Sequence, residues 1–159
     1  MGIILLLLQN IISQKKEAIQ FIINLKNINL KYVNFKLSKL YVGSEASKMF
    51  FNCKLLTSID LSRLNVTNTL YFDSMFYGCK SLKTINLKSF NFTKAIKIDN
   101  MFYGCSSLQS LDLSNFKPLH LTNMSGVFRD CISLTSINLN DFYTHNVNVW
   151  IIYFIIVLP

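Results

Sequence analysis

The apolar positions of this chain recur with one period. Cys53, Cys79, Cys105 and Cys131 are each 26 residues apart. The same step separates Met49-Phe50, Met75-Phe76 and Met101-Phe102, with Val127-Phe128 as a looser fourth copy. Further columns are Leu56/Leu82/Leu108/Leu134, Ile59/Ile85/Leu111/Ile137, Leu61/Leu87/Leu113/Leu139 and Leu64/Phe90/Phe116/Phe142. A weaker apolar column, Phe72/Ile98/Met124/Trp150, lies in the polar return segment. The polar positions keep the same phase. Ser47, Asp73, Asp99 and Ser125 are all residue types that cap helix N-termini. Five residues on stand Asn52, Gly78, Gly104 and Asp130, which tolerate positive φ. That spacing predicts about one helical turn carrying each Met-Phe pair. The Leu-x-x-Ile-x-Leu run that follows alternates, so Ile59 and Leu61 point inward, while Ser58 and Asp60 point outward, as in a short strand.

A fixed period of this length containing L-x-x-L-x-L is the signature of a leucine-rich-repeat solenoid. The expected fold is therefore α/β and right-handed, with one short parallel strand per 26-residue repeat and short helical turns on the convex side. Residues 49–146 hold four repeats. Residues 23–48 read as a degenerate first repeat: Leu30, Val33 and Phe35 fall in the columns of Leu56, Ile59 and Leu61, with Asn27 in place of Cys53 and Ser38 in place of Leu64. Residues 1–22 admit two readings. Ile12, Ala18, Ile19, Ile22 and Ile23 lie on one side of an amphipathic helix through Ile12–Leu25 that would cap the stack, and the apolar run Ile3–Leu8 suits a degraded or truncated signal segment. Residues 147–159 are apolar from Val149 to Leu158, too short to span a bilayer. They read either as a C-terminal cap or as a truncated fifth repeat, with Tyr153-Phe154 in the Met-Phe phase, and offer a surface for end-to-end association.

Composition adds limits. The 159 residues suit one domain, and 51% hydrophobic content is ample for a core. The net charge of +8 allows attraction to acidic surfaces, but the lysines are scattered and Lys15-Lys16 is the only doublet, so no nucleic-acid partner is expected. Each cysteine belongs first to its column, as a small buried core residue. Parallel stacking would also permit pairs such as Cys53–Cys79 in an oxidising compartment, so free and paired states both stand. No metal is expected, since C-x-x-C is absent and His120 and His145 lie at different phases. No cofactor site and no catalytic set stands apart from the period, so the expectation is a non-enzyme. Asn65-Val-Thr67, Asn91-Phe-Thr93 and Asn123-Met-Ser125 match the N-glycosylation pattern.

The unit Met101-Phe-Tyr-Gly-Cys-Ser-Ser-Leu-Gln-Ser-Leu-Asp-Leu-Ser-Asn-Phe116, followed by Thr122-Asn123-Met124, resembles the 26-residue branch of the BspA-like leucine-rich-repeat family of bacterial and protist surface proteins. The resemblance covers residues 49–146 and transfers no catalytic residue. It implies a non-catalytic, surface-displayed binding module, extracellular or at the cell surface, that mediates protein–protein interaction or adhesion to host or cell-surface proteins. The alternative is a structural repeat fragment or intracellular interaction scaffold with no ligand of its own. The candidate protein-binding surface is the outward strand strip, Ser58, Asp60, Thr84, Asn86, Ser110, Asp112, Ser136 and Asn138. Tyr77 and Tyr103, each following a Met-Phe pair, read as surface aromatics or as edge packing. The strand phase has a direct test in chemical denaturation. Leu108→Ala should cost ~2–5 kcal/mol as a core truncation, and Ser110→Ala no more than about 0.5 kcal/mol. Equal losses would show the phase to be wrong.

Overall fold

A computed structural model describes residue 27, residues 31–34 and residues 40–140. The expectations for residues 1–22 and 147–159, and for Leu30, Phe35, Ser38, Phe142 and His145, lie outside the described residues. Six short strands are formed: β1 (Tyr32–Asn34), β2 (Leu40–Tyr41), β3 (Ser58–Asp60), β4 (Leu64–Asn65), β5 (Ser110–Asp112) and β6 (Ser136–Asn138). They make three separate two-stranded parallel sheets, β1–β3, β2–β4 and β5–β6. Single parallel bridges link Glu45 to Tyr71, Tyr71 to Lys97 and Lys97 to Asn123. Successive segments of the chain thus lie side by side in parallel.

The described residues contain no helix. The α/β leucine-rich-repeat solenoid expected from the sequence is corrected on this point, and on the single continuous sheet it required. The backbone shows why the helical turns fail. Two columns take positive φ: Asn52, Gly78, Gly104 and Asp130, and also Lys48, Ser74, Asn100 and Gly126. A left-handed residue every fourth position breaks a right-handed helix before it closes a turn. The N–H groups then alternate. Met49, Phe51 and Cys53 donate to Ala46, Lys48 and Phe50, each three residues back, at 3.1–3.3 Å. Lys48, Phe50 and Asn52 donate instead to Asp73, Met75 and Tyr77 of the next segment, at 2.7–2.9 Å. The pattern recurs from Ser74, Phe76 and Gly78 to Asp99, Met101 and Tyr103. These are consecutive tight turns stitched to their neighbours, with no i→i+4 ladder.

The strands are also less continuous than expected. Val33 pairs with Ile59 and Leu111 with Ile137, as the columns require. Thr84 to Asn86, however, forms no strand, and only the residue ahead of it keeps the link, through Lys83 N to Thr57 O and Gln109 N to Lys83 O. The early register shifts too. β2 pairs Leu40 with Leu64, a step of 24, so Leu40 stands beside that column. Asn27 takes φ 62° and donates to Phe51 O, which puts it in the left-handed column of Asn52 and not in that of Cys53.

The apolar columns form the core. Phe50, Phe76 and Phe102 are buried and stack at 5.2 and 5.5 Å between centroids, with Phe128 6.0 Å beyond Phe102. Leu56, Leu82 and Leu108 are fully buried, while Leu139 at the end of its column is 39% exposed. One further core column, Val66 and Phe92, was not anticipated. It lies inside two of the glycosylation-like triplets. In these, Asn65 and Asn91 each accept from the N–H and hydroxyl of the threonine two residues on, which makes them Asx turns.

The left-handed turns give a stability prediction. Gly78 has φ +70°, and a β-carbon there would run into the Asn52 side chain, whereas nothing lies within 4 Å of one at Gly43. Gly78→Ala should therefore cost at least ~1–2 kcal/mol, and Gly43→Ala less than about 0.5 kcal/mol. Urea midpoints of the two variants check this, and equal midpoints would contradict the turn geometry.

Candidate functional site

The strip predicted from the sequence does lie outward. Ser58, Thr84, Ser110 and Ser136 are exposed, as are Asp60 and Asn86, while Asp112 and Asn138 are half-buried. Its acidic and amide side chains are turned back on their own chain. Asp60, Asn86, Asp112 and Asn138 accept from the N–H of Ser62, Lys88, Ser114 and Asn140 at 2.9–3.1 Å. These bonds make an Asx turn in each segment, and the bonds from the Ser62 N–H and hydroxyl to Asp60, and from the Ser114 hydroxyl and N–H to Asp112, hold the two carboxyls below the usual carboxylate range. The eight predicted residues include no aromatic or arginine side chain, the types that dominate interface energies; the structure adds one aromatic at the edge of the strip, the exposed Tyr32 paired with Ser58.

The supposed capping column caps nothing. Its members bond across segments instead. Ser47 Oγ donates to Asp73 Oδ2 at 3.2 Å, and the Ser125 N–H donates to Asp99 Oδ1 at 3.0 Å. Asp73 Oδ1 is buried without a hydrogen-bond partner. Burial raises the Asp99 pKa, and the neighbouring Asp73 charge adds to the shift, against the Ser125 N–H and Lys97. The four cysteines are buried and form no disulfide. The thiols of Cys79, Cys105 and Cys131 donate to the carbonyls of Phe50, Phe76 and Phe102 at 3.0–3.1 Å. Burial raises all three pKa values, that of Cys131 to about 12, so these thiols are not poised as nucleophiles. Among the described residues no group of three His, Cys, Asp or Glu is placed to hold a metal ion.

A second surface was only half visible in the sequence. The half-buried rings of Phe51, Tyr77 and Tyr103 stack at 4.8 and 4.7 Å, with interplanar angles of 13° and 9°. The Arg129 guanidinium covers the far face of Tyr103, 5.6 Å from its centroid. This rail exists because each aromatic follows a core phenylalanine in the stitched turn, and successive turns place equivalent residues face to face. Tyr77 and Tyr103 line an open groove of about 390 Å³. Gly78, Gly104, Lys80, Asp130 and the 78% exposed Ile132 line it with them. The Tyr103 phenol donates to the Asp130 carboxylate, which raises the phenol pKa. In contrast, the gap inside the core between Phe102 and Phe116 measures only about 10 Å³ and has no room for a ligand.

The half-buried acid column predicts a pH response. Asp99 binds its proton more tightly folded than unfolded, so its stabilising contribution is complete below its unfolded pKa and is lost as pH rises through the raised folded value. Wild-type stability should fall relative to that of Asp99→Asn as pH is raised from about 4 to about 7. Urea midpoints across that range measure the difference, and parallel profiles would contradict it.

Comparison with known proteins corrects the family expected from the sequence. The family described as "Mycoplasma protein of unknown function, DUF285" matches residues 44–154. The BspA-like, leucine-rich-repeat assignment is not matched, and the helix-free turns do not support it. The surface-adhesion module that rested on that assignment, with its fragment or scaffold alternative, falls with it. No curated protein and no solved structure matches the chain. No helix among the described residues is long and apolar enough to cross a membrane. With the match covering well over half of its length, the chain belongs to the DUF285 family.

Proposed function

We propose that this domain is non-catalytic and binds a protein partner that lays a segment in the groove beside Tyr77 and Tyr103. The observation that carries the reading is the rail of Phe51, Tyr77 and Tyr103 ending in Arg129, set along an open groove. Tyrosine and arginine are the side chains most often found to hold an interface together. Here they are locked in place by stacking before any partner arrives, which reduces the ordering cost of binding. The groups that would otherwise suggest chemistry are already engaged in the fold: the cysteine thiols on carbonyls, and Asp60 and Asp112 in turns.

The test is site-specific photo-crosslinking of the full chain in the cells that make it. A photoreactive residue at Tyr77 should give a discrete protein adduct, and one at Ser110, on the strand strip, should give none. With the partner identified, Tyr103→Ala should weaken binding by about 2 kcal/mol, roughly 30-fold. An adduct formed only from Ser110 would overturn the groove in favour of the strip.

A further inference from the structure

The lysines that are scattered along the sequence are gathered by the fold. Lys54 and Lys80 occupy the same position in adjacent segments, each donating its N–H to the left-handed residue two positions back. Beside them runs a second column. Thr57 N–H donates to Lys31 O at 2.9 Å, and Lys83 N–H donates to Thr57 O at 3.4 Å, so Lys31 and Lys83 flank Thr57 on neighbouring segments. All four lysine side chains are exposed, and Lys80 lines the tyrosine groove. The acidic groups nearby are Asp60, turned onto Ser62, and Asp130, which holds the Tyr103 phenol at the far end.

We infer that the groove takes an acidic polypeptide segment, its carboxylates meeting Lys80 of the Lys54–Lys80 column and the tyrosine rail. The inference rests on the partner-binding reading above and names the chemistry of that partner. The aromatic geometry points the same way as the charge. Tyr77 has Phe51 on one face and Tyr103 on the other, and the outer face of Tyr103 is covered by Arg129. What a segment in the groove meets is therefore ring edges and phenol groups, not ring faces. The edge of an aromatic ring carries the positive part of its quadrupole and suits a carboxylate. Nucleic-acid bases bind aromatic residues by stacking on open faces, and both faces of the groove-lining Tyr77 and Tyr103 are covered. The net charge of +8 adds long-range attraction for an acidic partner.

The experiment uses the full chain and three fluorescent probes: a glutamate-rich decapeptide, a lysine-rich one and a single-stranded oligothymidylate. The glutamate peptide alone should bind, and a rise in salt from about 50 to about 300 mM should weaken it at least ~10-fold. The triple change Lys54→Gln, Lys80→Gln and Lys83→Gln should have a similar effect. Lys94→Gln, whose ammonium donates to Asn68 on the return segment, should have none. Preference for oligothymidylate would overturn the inference in favour of a nucleic acid, and salt-insensitive binding of the glutamate peptide would also overturn it. The two readings fail separately. If an adduct forms at Tyr77 while the glutamate peptide binds no better than the lysine one, the acidic partner is wrong and the groove stands. If no adduct forms at Tyr77, both fall.

Discussion

Everything in this structure depends on how the backbone N–H groups around each Met-Phe pair are divided. Half of them close tight turns within their own segment. The other half, such as those of Phe50, Phe76 and Phe102, reach the carbonyls of the next segment. A helix would have kept them all, leaving segments held together by side chains alone. The left-handed residues at Lys48 and Asn52, and their equivalents, force the division. Three of these eight positions, Lys48, Ser74 and Asp130, hold neither glycine nor asparagine, so backbone strain is accepted for lateral bonding. A backbone bonded on both sides can then hold very short strands in register without a continuous sheet.

That lateral bonding sets like residues on like. For apolar side chains this is favourable: phenylalanines stack on phenylalanines, and each thiol finds a carbonyl of the preceding turn. For charges it is costly. At Asp99 burial raises the pKa first and the neighbouring Asp73 charge adds to it, while one Asp73 oxygen is buried without a hydrogen-bond partner. Serine stands at both ends of that column, where Ser47 and Ser125 donate to the acids instead of repeating them. Stacking thus limits how far any ionised residue can recur in one column.

The core was legible in the sequence because burial constrains residue type. Every apolar column with described residues lies inside, as at Leu56, Ile85 and Leu111. The turns were misread because one of the two left-handed columns carries only a broken signal, with Asn100 and Gly126 in its last two places. Gly78 and Gly104 announce the first, while Lys48 and Ser74 give no hint of the second. A cap-like serine or aspartate five residues before a glycine then looked like a helix, though it is equally compatible with consecutive turns. A rigid 26-residue shift also missed Leu40 and Asn27, where small length changes move the register. The groove needs three segments at once. Its tyrosines could be seen singly, but not that Phe51 and Arg129 would complete the rail.

The columns that build the core repeat from segment to segment, so they carry no direction. The columns around the groove do not repeat. One runs Phe51, Tyr77, Tyr103, Arg129, and another runs Lys54, Lys80, Ser106, Ile132. The groove therefore carries a basic side chain from one segment, Lys80, and from a later one an exposed apolar side chain beside an acid already engaged by Tyr103. A segment lying along it meets a graded surface and has a preferred orientation. A uniform strip such as Ser58, Thr84, Ser110 and Ser136 cannot impose one, because each step along it presents nearly the same hydroxyl. Directional recognition in a stacked fold has to come from positions where the repeat is broken, and on the described surface the tyrosine groove is lined by such positions.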